Sequence, residues 1–476
     1  MLGMELTAEH DPHDKPYNKS FLRRKILQTS IPLILQLILT NSITFIDQLM
    51  IGHLGLETIA AVTACTKIFT IYQLFCYGIS SSGAIFMTQY YGKKDYSGIR
   101  KILAIMLGIG LSIAVIFVAA IVLFPQVLLS PFTQDEAVMS IALDYLRWAA
   151  PIPILASIAS CFGFLMRSLN RVIIVTISTI ISVIVAITAN YILIYGNFGC
   201  PALGVVGAAI GTVITRFFEG SVIIIFLIVS KNPVFRQFHE IFTLEKSMFI
   251  NYIKKALPIT CNEVLWSLGG AMFFVIYGKL GTTQQGAMSI MDTIQVLAQT
   301  IAIGFGSSAA IIIGAAIGSN NQTDVRRYCT EYLFIARIFG IFSAVTVIIL
   351  IKPIQMIYHI SGTEAGSIVT KCMIILAIYL IIYSRNILFM EGIFRCGGDA
   401  VYIFLMDMGS VWYIGLVFAT IMYHLGMPCY VIFGAYIAIE CYKFPINMHH
   451  YRSGKWMHNL ISDSQQSKYP EKCATN

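Results

Sequence analysis

The two halves of this chain repeat each other, and that constrains its fold more than any other feature. Shifting the sequence by 226 positions (278 − 52) lays Ile51 to Gly55, IGHLG, on Tyr277 to Gly281, YGKLG. In the same register Pro32 falls on Pro258, Gln73 on Gln299, Gly78 on Gly304, Ser81 and Ser82 on Ser307 and Ser308, Gly92 on Gly318 and Arg100 on Arg326. Glycines, a proline and an arginine sharing one register from Pro32 to Arg100 are not a chance alignment. In a very apolar chain, related halves point to a transporter: they create a site at their interface and can rock against each other.

The chain has 476 residues, 57% hydrophobic and 12% charged, where a soluble domain carries roughly 25% charge. It reads as an all-α integral membrane protein. A helix needs about 20 apolar residues to cross hydrocarbon, and about twelve such runs are present, six before the polar stretch Lys231 to Lys255 and six after it. The runs are long and continuous, which excludes the short alternating segments of a barrel. The expected organisation is a tail over 1–25, a six-helix lobe over 26–230, a linker over 231–252, a second six-helix lobe over 253–450 and a tail over 451–476.

The net charge of +8 does not indicate nucleic acid. Its basic residues gather at alternate helix ends: Lys19 to Lys25, Lys93 to Lys101, Arg167 and Arg171, Lys231 to Lys255, Arg326 and Arg327, Arg395, and Arg452 with Lys455. By the positive-inside rule this predicts both termini in the cytoplasm. No apolar run with a cleavage site opens the chain, so no signal peptide is expected. The eleven cysteines are scattered without a C-x-x-C pair, and read as small apolar fillers. The nine histidines show no H-E-x-x-H spacing, so neither a metal centre nor a metalloenzyme is expected.

Four segments then give the chain a family look: FIDQLMIGHLG ending the first span, GISSSGAIFMTQYYGKKD closing the second, NYILIYGNFGCPALGVVGAAIGTVITR across the fifth and sixth, and GIFRCGGDAVYIFLMDMGSVW after the tenth. Together they resemble the multidrug and toxic compound extrusion (MATE) family of cation-coupled antiporters. The NE-LW-LG pattern at Asn262 to Gly269 is closer to its DinF-type than its NorM-type bacterial members. The resemblance implies twelve helices in two pseudo-symmetric six-helix lobes around a central cavity. It also implies export of small organic molecules in exchange for H+ or Na+, with no other cofactor.

An ionisable group near the bilayer centre costs roughly 2.5 to 3.5 kcal/mol, so each is a functional candidate. By resemblance Asp47 binds or exchanges the coupling cation, and Asn190 and Thr212 occupy the positions that form a polar network with it. The second aspartate of that pattern is here Ile194. From the residues alone, Lys67 and Asp47 are each ten positions from the turn near Glu57, and so share a depth at which they can pair; Lys67 snorkelling to the interface is the alternative. In the second half Glu263 and Asp292 are the cation or substrate candidates. NorM-type members carry the span 7 glutamate about three residues later, nearly one turn, so the face can be shared while the depth is not. Arg385 and Asp407 are charge partners that could pair with each other, or Arg385 could balance Glu263. Arg216 with Glu219 and Glu440 with Lys443, each three apart, read as self-neutralising pairs on one helix face. Arg167 with Arg171 and Arg395 with Asp399 read as structural charges at equivalent inner loops of the two lobes, where helix ends and loop carbonyls need donors.

Pro32 and Pro258 are expected to begin spans 1 and 7, as hinges by resemblance or as simple N1 residues. The expectation is an antiporter, not an enzyme, working as a monomer in the cytoplasmic membrane of a bacterium. Its partners are the bilayer and a small, often cationic drug or metabolite. The alternatives are a lipid-linked oligosaccharide flippase, which would be expected to carry a strongly cationic cavity and often fourteen spans, and an exporter dedicated to one metabolite.

Overall fold

The structure, a computed structural model, describes residues 19–52, 56–132, 136–230, 234, 246–358, 360–458 and 460. Side chains of residues 42–49, 52, 56, 59, 60 and 282 lie outside that description. The described residues are helical with no strand. In chain order the spans are 1 (Lys19–Gly52), 2 (Leu56–Gly92), 3 (Tyr96–Leu123), 4 (Glu136–Ala149 with Ile152–Ser168), 5 (Val172–Tyr195), 6 (Gly204–Val229), 7 (Lys246–Gly278), 8 (Thr282–Gly318), 9 (Gln322–Ile349), 10 (Glu364–Phe394), 11 (Ala400–His424) and 12 (Cys429–Ser453). Ten of these are long and apolar enough to cross a membrane, and span 4 makes an eleventh, bent by 49° at the break that holds Pro151. Span 1, 34 residues long with Arg23, Arg24 and Lys25 in its first turns, takes the remaining place.

The prolines do not begin their helices. Pro32 and Pro258 lie inside helices that start at Lys19 and Lys246. The polar, basic feet of spans 1 and 7 continue the helix outward from the apolar run, which a count of apolar residues does not see. Each proline removes one backbone hydrogen bond mid-helix. The C-terminal half alone, among the described residues, carries π-helical stretches: Leu388–Phe394 in span 10 and Gly409–Gly415 in span 11.

Within each half the same pairs pack: span 2 on 3 and 4, 5 on 1 and 6, and correspondingly 8 on 9 and 10, 11 on 7 and 12. The halves meet through spans 1 and 2 against 7 and 8, and there they cross over. The foot of span 1 packs on the second half, with Ile26 in the core around Phe305 and Tyr332. Arg23 pairs with Glu331 at 2.9 Å and Lys25 donates to Tyr328 at 3.0 Å. The foot of span 7 answers it: Tyr252 and Ala256 sit in the first half's core beside Ile79 and Phe86, and the Tyr252 hydroxyl donates to the Ile79 carbonyl at 2.7 Å.

The end of the molecule that carries the basic helix termini is closed. Gly92 and Gly318, repeat equivalents, lie so near the opposite half that a Cβ on either would strike a carbonyl, that of Ala315 or Gln89. Ser30 and Ser308 share a hydrogen bond of 2.6 Å, and Asn41 donates to Thr300 at 3.1 Å. Beyond that level the same helical stripe opens. On span 2 it runs from Gly78, Ile85 and Gln89, all buried, back to Ile71 at 45% exposure and to Lys67. On span 8 it runs from Gly304 and Gly318 back to Leu297 at 49% and to Asp292. A cleft therefore separates the halves on the side away from the basic ends.

Candidate functional site

The ionisable residues inside the spans converge on the second half. Arg395, 4% exposed, follows the π stretch of span 10 and holds two carboxylates through one Nη2: Glu263 of span 7 and Glu391 of span 10, each at 2.8 Å. Tyr77 of span 2 lies beside them, with the Arg395 guanidinium 5.9 Å from its ring centre. A cavity of about 50 Å3 lies between the halves here, lined by Tyr77, Ser81, Arg167, Ser307, Glu391 and Arg395 among others. That is room for a few waters at most. The buried Nε atoms of Arg167 and Arg395 have no protein acceptor, and ordered water in this cavity is the natural partner for such donors.

A second cluster adjoins it. Asn262, next to Glu263 in sequence, donates to Asp407 at 3.1 Å, and Lys443 of span 12 reaches the other oxygen of Asp407 at 2.7 Å. Lys443 also lies 3.9 Å from Glu440, whose carboxylate accepts from Asn386 at 2.7 Å. Asn447 extends the network, donating to Asn386 at 3.4 Å and accepting from Tyr402 at 2.9 Å. Every member lies within spans 7, 10, 11 and 12, and Lys443, Glu440 and Asn447 are buried.

Sequence reasoning named some of these residues and misassigned their partners. Arg385 pairs with neither Asp407 nor Glu263: its guanidinium lies over the Phe444 ring, 5.5 Å from the centre. Asp407 is taken by Lys443 and Glu263 by Arg395, because the helices that approach them are spans 12 and 10 at those depths. Arg395 is therefore not a donor to a loop; Asp399 instead meets His450 at 2.7 Å. The Glu440–Lys443 pair exists, but the shorter contact of Lys443 is to Asp407. Arg216 and Glu219 pair as expected, at 2.8 Å. Glu391 and Tyr77 were missed. Glu391 sits in an apolar run, ILFMEGIF, and its four-residue spacing to Arg395 was the signal available.

The first-half candidates are less converged. The Asp47 side chain lies outside the described residues. Asn190 is buried against Gly211, whose missing side chain leaves room for the Asn190 Oδ1. One residue on, the Thr212 hydroxyl donates to the Ala208 carbonyl of its own helix at 3.0 Å. Lys67 faces the open cleft, within electrostatic reach of Asp292 on the opposite half. The two occupy nearly equivalent repeat positions (292 − 226 = 66). No group of three or more potential metal ligands occurs among the described residues.

Known proteins resemble this arrangement along most of its length. The probable multidrug resistance protein NorM of Halalkalibacterium halodurans is 26% identical over 405 residues, 82% of this chain and 85% of that protein. The uncharacterized transporter YisQ of Bacillus subtilis is 23% identical over 93% of this chain and 96% of its own. Among solved structures, the Vibrio cholerae MATE transporter VcmN in its bent form superposes with a TM-score of 0.82 at 16% identity, covering 94% of this chain and 98% of that one. An outward-facing multidrug resistance MATE transporter gives 0.80 at 15%, covering 92% and 99%. The MatE family model matches twice, over residues 32–192 and 258–421, and the offset between its two starts, 258 − 32, is again 226. The two copies of the motif, the paired helical lobes and the likeness over nearly the whole chain mean that this protein belongs to the MatE family of multidrug and toxic compound extrusion transporters.

Proposed function

We propose that this protein is a secondary antiporter that exports small organic compounds, often cationic, across the cytoplasmic membrane of a bacterium in exchange for H+ or Na+. The observation that carries the reading is a charge count. Four carboxylates of the second lobe, Glu263, Glu391, Asp407 and Glu440, stand against two cations, Arg395 and Lys443. Arg167, across the interface, offsets one more unit at most. Uncompensated charge in the spans costs several kcal/mol, so the site calls for at least one further positive charge, a proton or a metal cation. Asp47, with Asn190 and Thr212 near it in the family pattern, supplies a second exchangeable acid in the first lobe, and Asp292 a third candidate at the cleft.

One cation moving down about 100 mV contributes about 2.3 kcal/mol. Exchange of one proton for one monocation is electroneutral and draws on the pH gradient alone; a second cation per cycle makes the exchange electrogenic. The basic helix ends support cytoplasmic termini, which makes the open cleft the outer one. The mixed charge around the cavity and the span count favour this reading over a flippase.

Ethidium efflux tests it, in everted vesicles energised with a proton gradient, with and without Na+ at fixed pH. Gradient-driven transport is expected, with losses of at least about tenfold in Asp47→Asn and in Glu391→Gln. Full activity in both variants would place coupling elsewhere. No dye movement by the parent would favour a dedicated substrate or the flippase.

A further inference from the structure

More than the spans closes the basic end. Span 12 ends at Ser453, Gly454 turns the chain with φ 69°, and residues 455–458 with Leu460 lie across the join between the lobes. This segment is anchored on the second lobe. Trp456, 2% exposed, packs beside Phe394 and Tyr451, and its indole donates to the Tyr451 carbonyl at 3.2 Å. The His458 amide donates to the Gly397 carbonyl at 3.1 Å. Gly397 and Gly398 leave the space it needs, since side chains there would meet Trp456 and Leu460.

From that anchor it reaches the first lobe. Gln89 of span 2, fully buried, accepts from the Leu460 amide at 3.0 Å and donates to the carbonyls of His458 at 3.1 Å and Cys396 at 3.0 Å. The Leu460 side chain packs at the junction of Ile85, Ile259 and Ala400, from spans 2, 7 and 11. One side chain of the first lobe thus ties together two segments of the second. The repeat has no counterpart: the equivalent of Gln89 is Ala315 (89 + 226), which has no group to offer.

We propose that residues 455–458 with Leu460 form a strap that holds the basic-side mouth shut and lets go of span 2 each time the lobes part there. Trp456 keeps the strap on the second lobe, so what breaks is its contact with span 2, the hydrogen bonds to Gln89 and the packing of Leu460 on Ile85. The strap sets the balance between the closed-basic-end state and the state open at that end. The inference rests on the transport reading only in requiring both mouths to open in turn.

Hydrogen–deuterium exchange on the full chain without substrate tests this, against two variants that keep Trp456: Leu460→Pro, which deletes the donor to Gln89, and a chain ending at Met457. Amide exchange over residues 85–92 and 311–318 is expected to rise about tenfold in both, with the rest of the lobes unchanged. Parent-like exchange there, in variants shown to be folded by thermal melting, overturns the strap. So does a rise spread over the whole chain, which would make the segment a general clamp on the fold. Efflux measured alongside separates the two readings. Unchanged exchange with normal gradient-driven efflux removes the strap and keeps the transporter, and faster local exchange with no efflux by the parent does the reverse.

Discussion

The two lobes place an arginine at matching points and give it different company. In the first lobe Arg167, at the end of span 4, donates to Gln36, a neutral amide four residues after Pro32, at 3.0 Å. In the second, Arg395, just past the π stretch of span 10, holds Glu263, five residues after Pro258, and Glu391 as well. The second lobe gathers four carboxylates and two cations in one buried cluster, where the described part of the first has Arg167 on a neutral amide and the pair Arg216–Glu219. A buried carboxylate needs donors, and Asn262, Asn386 and Asn447 gather around the charged cluster to provide them.

The sharpest way to break this contrast is to remove a charge that the second lobe cannot spare. Lys443→Met leaves Asp407 and Glu440 buried without their cation and is expected to cost about 3–5 kcal/mol, read as a lower unfolding midpoint in detergent. A midpoint equal to the parent's would mean that both acids are already neutral in the fold. A second experiment makes one lobe resemble the other. Glu263→Gln gives Arg395 an amide acceptor like Gln36 and is expected to lower gradient-driven efflux about tenfold, about 1.4 kcal/mol, with little change in the unfolding midpoint. Gln36→Glu, the reverse change, should leave efflux within about twofold of the parent; equal losses from both would show that the lobes share the coupling task. The smallest effect belongs to the first lobe's own ion pair. Arg216 and Glu219, with side chains 35% and 24% exposed, should contribute less than about 1 kcal/mol as a pair, so the double change Arg216→Met with Glu219→Gln, which leaves no charge unpaired, should barely move thermal stability.

The fold was legible because a repeat and an apolar run are both one-dimensional signals. The shift of 226 found from Gly55 and Gly281 is the shift between the starts of the two family matches, and span order follows from counting runs. Helix starts were not legible: Lys19 to Lys25 and Lys246 to Lys255 look like polar flanks, yet they are helical feet packed on the opposite lobe. The site was half legible. An acid in an apolar run marks Glu263, Asp407 and Glu440 as costly, but cost names no partner. Spacing finds partners on the same helix, which is why Arg216–Glu219 was right and why Arg385, whose neighbours come from other spans, was not. Asp399 was bracketed with Arg395 by proximity in sequence, while its real contact, His450, is 51 residues away.

The crossing of the helical feet has a consequence in time. Arg23 and Lys25 find Glu331 and Tyr328 across sequence separations of 308 and 303 residues. At the usual pace of synthesis, about 5–20 residues per second, those partners emerge roughly 15 to 60 seconds after the foot of span 1 has left the ribosome. For about the last third of that interval, once residue 230 has been made, the first lobe is complete in sequence while the foot of its first helix still lacks these partners. Assembly of this protein therefore cannot finish half by half: the oldest helix in the chain is among the last to be fully docked.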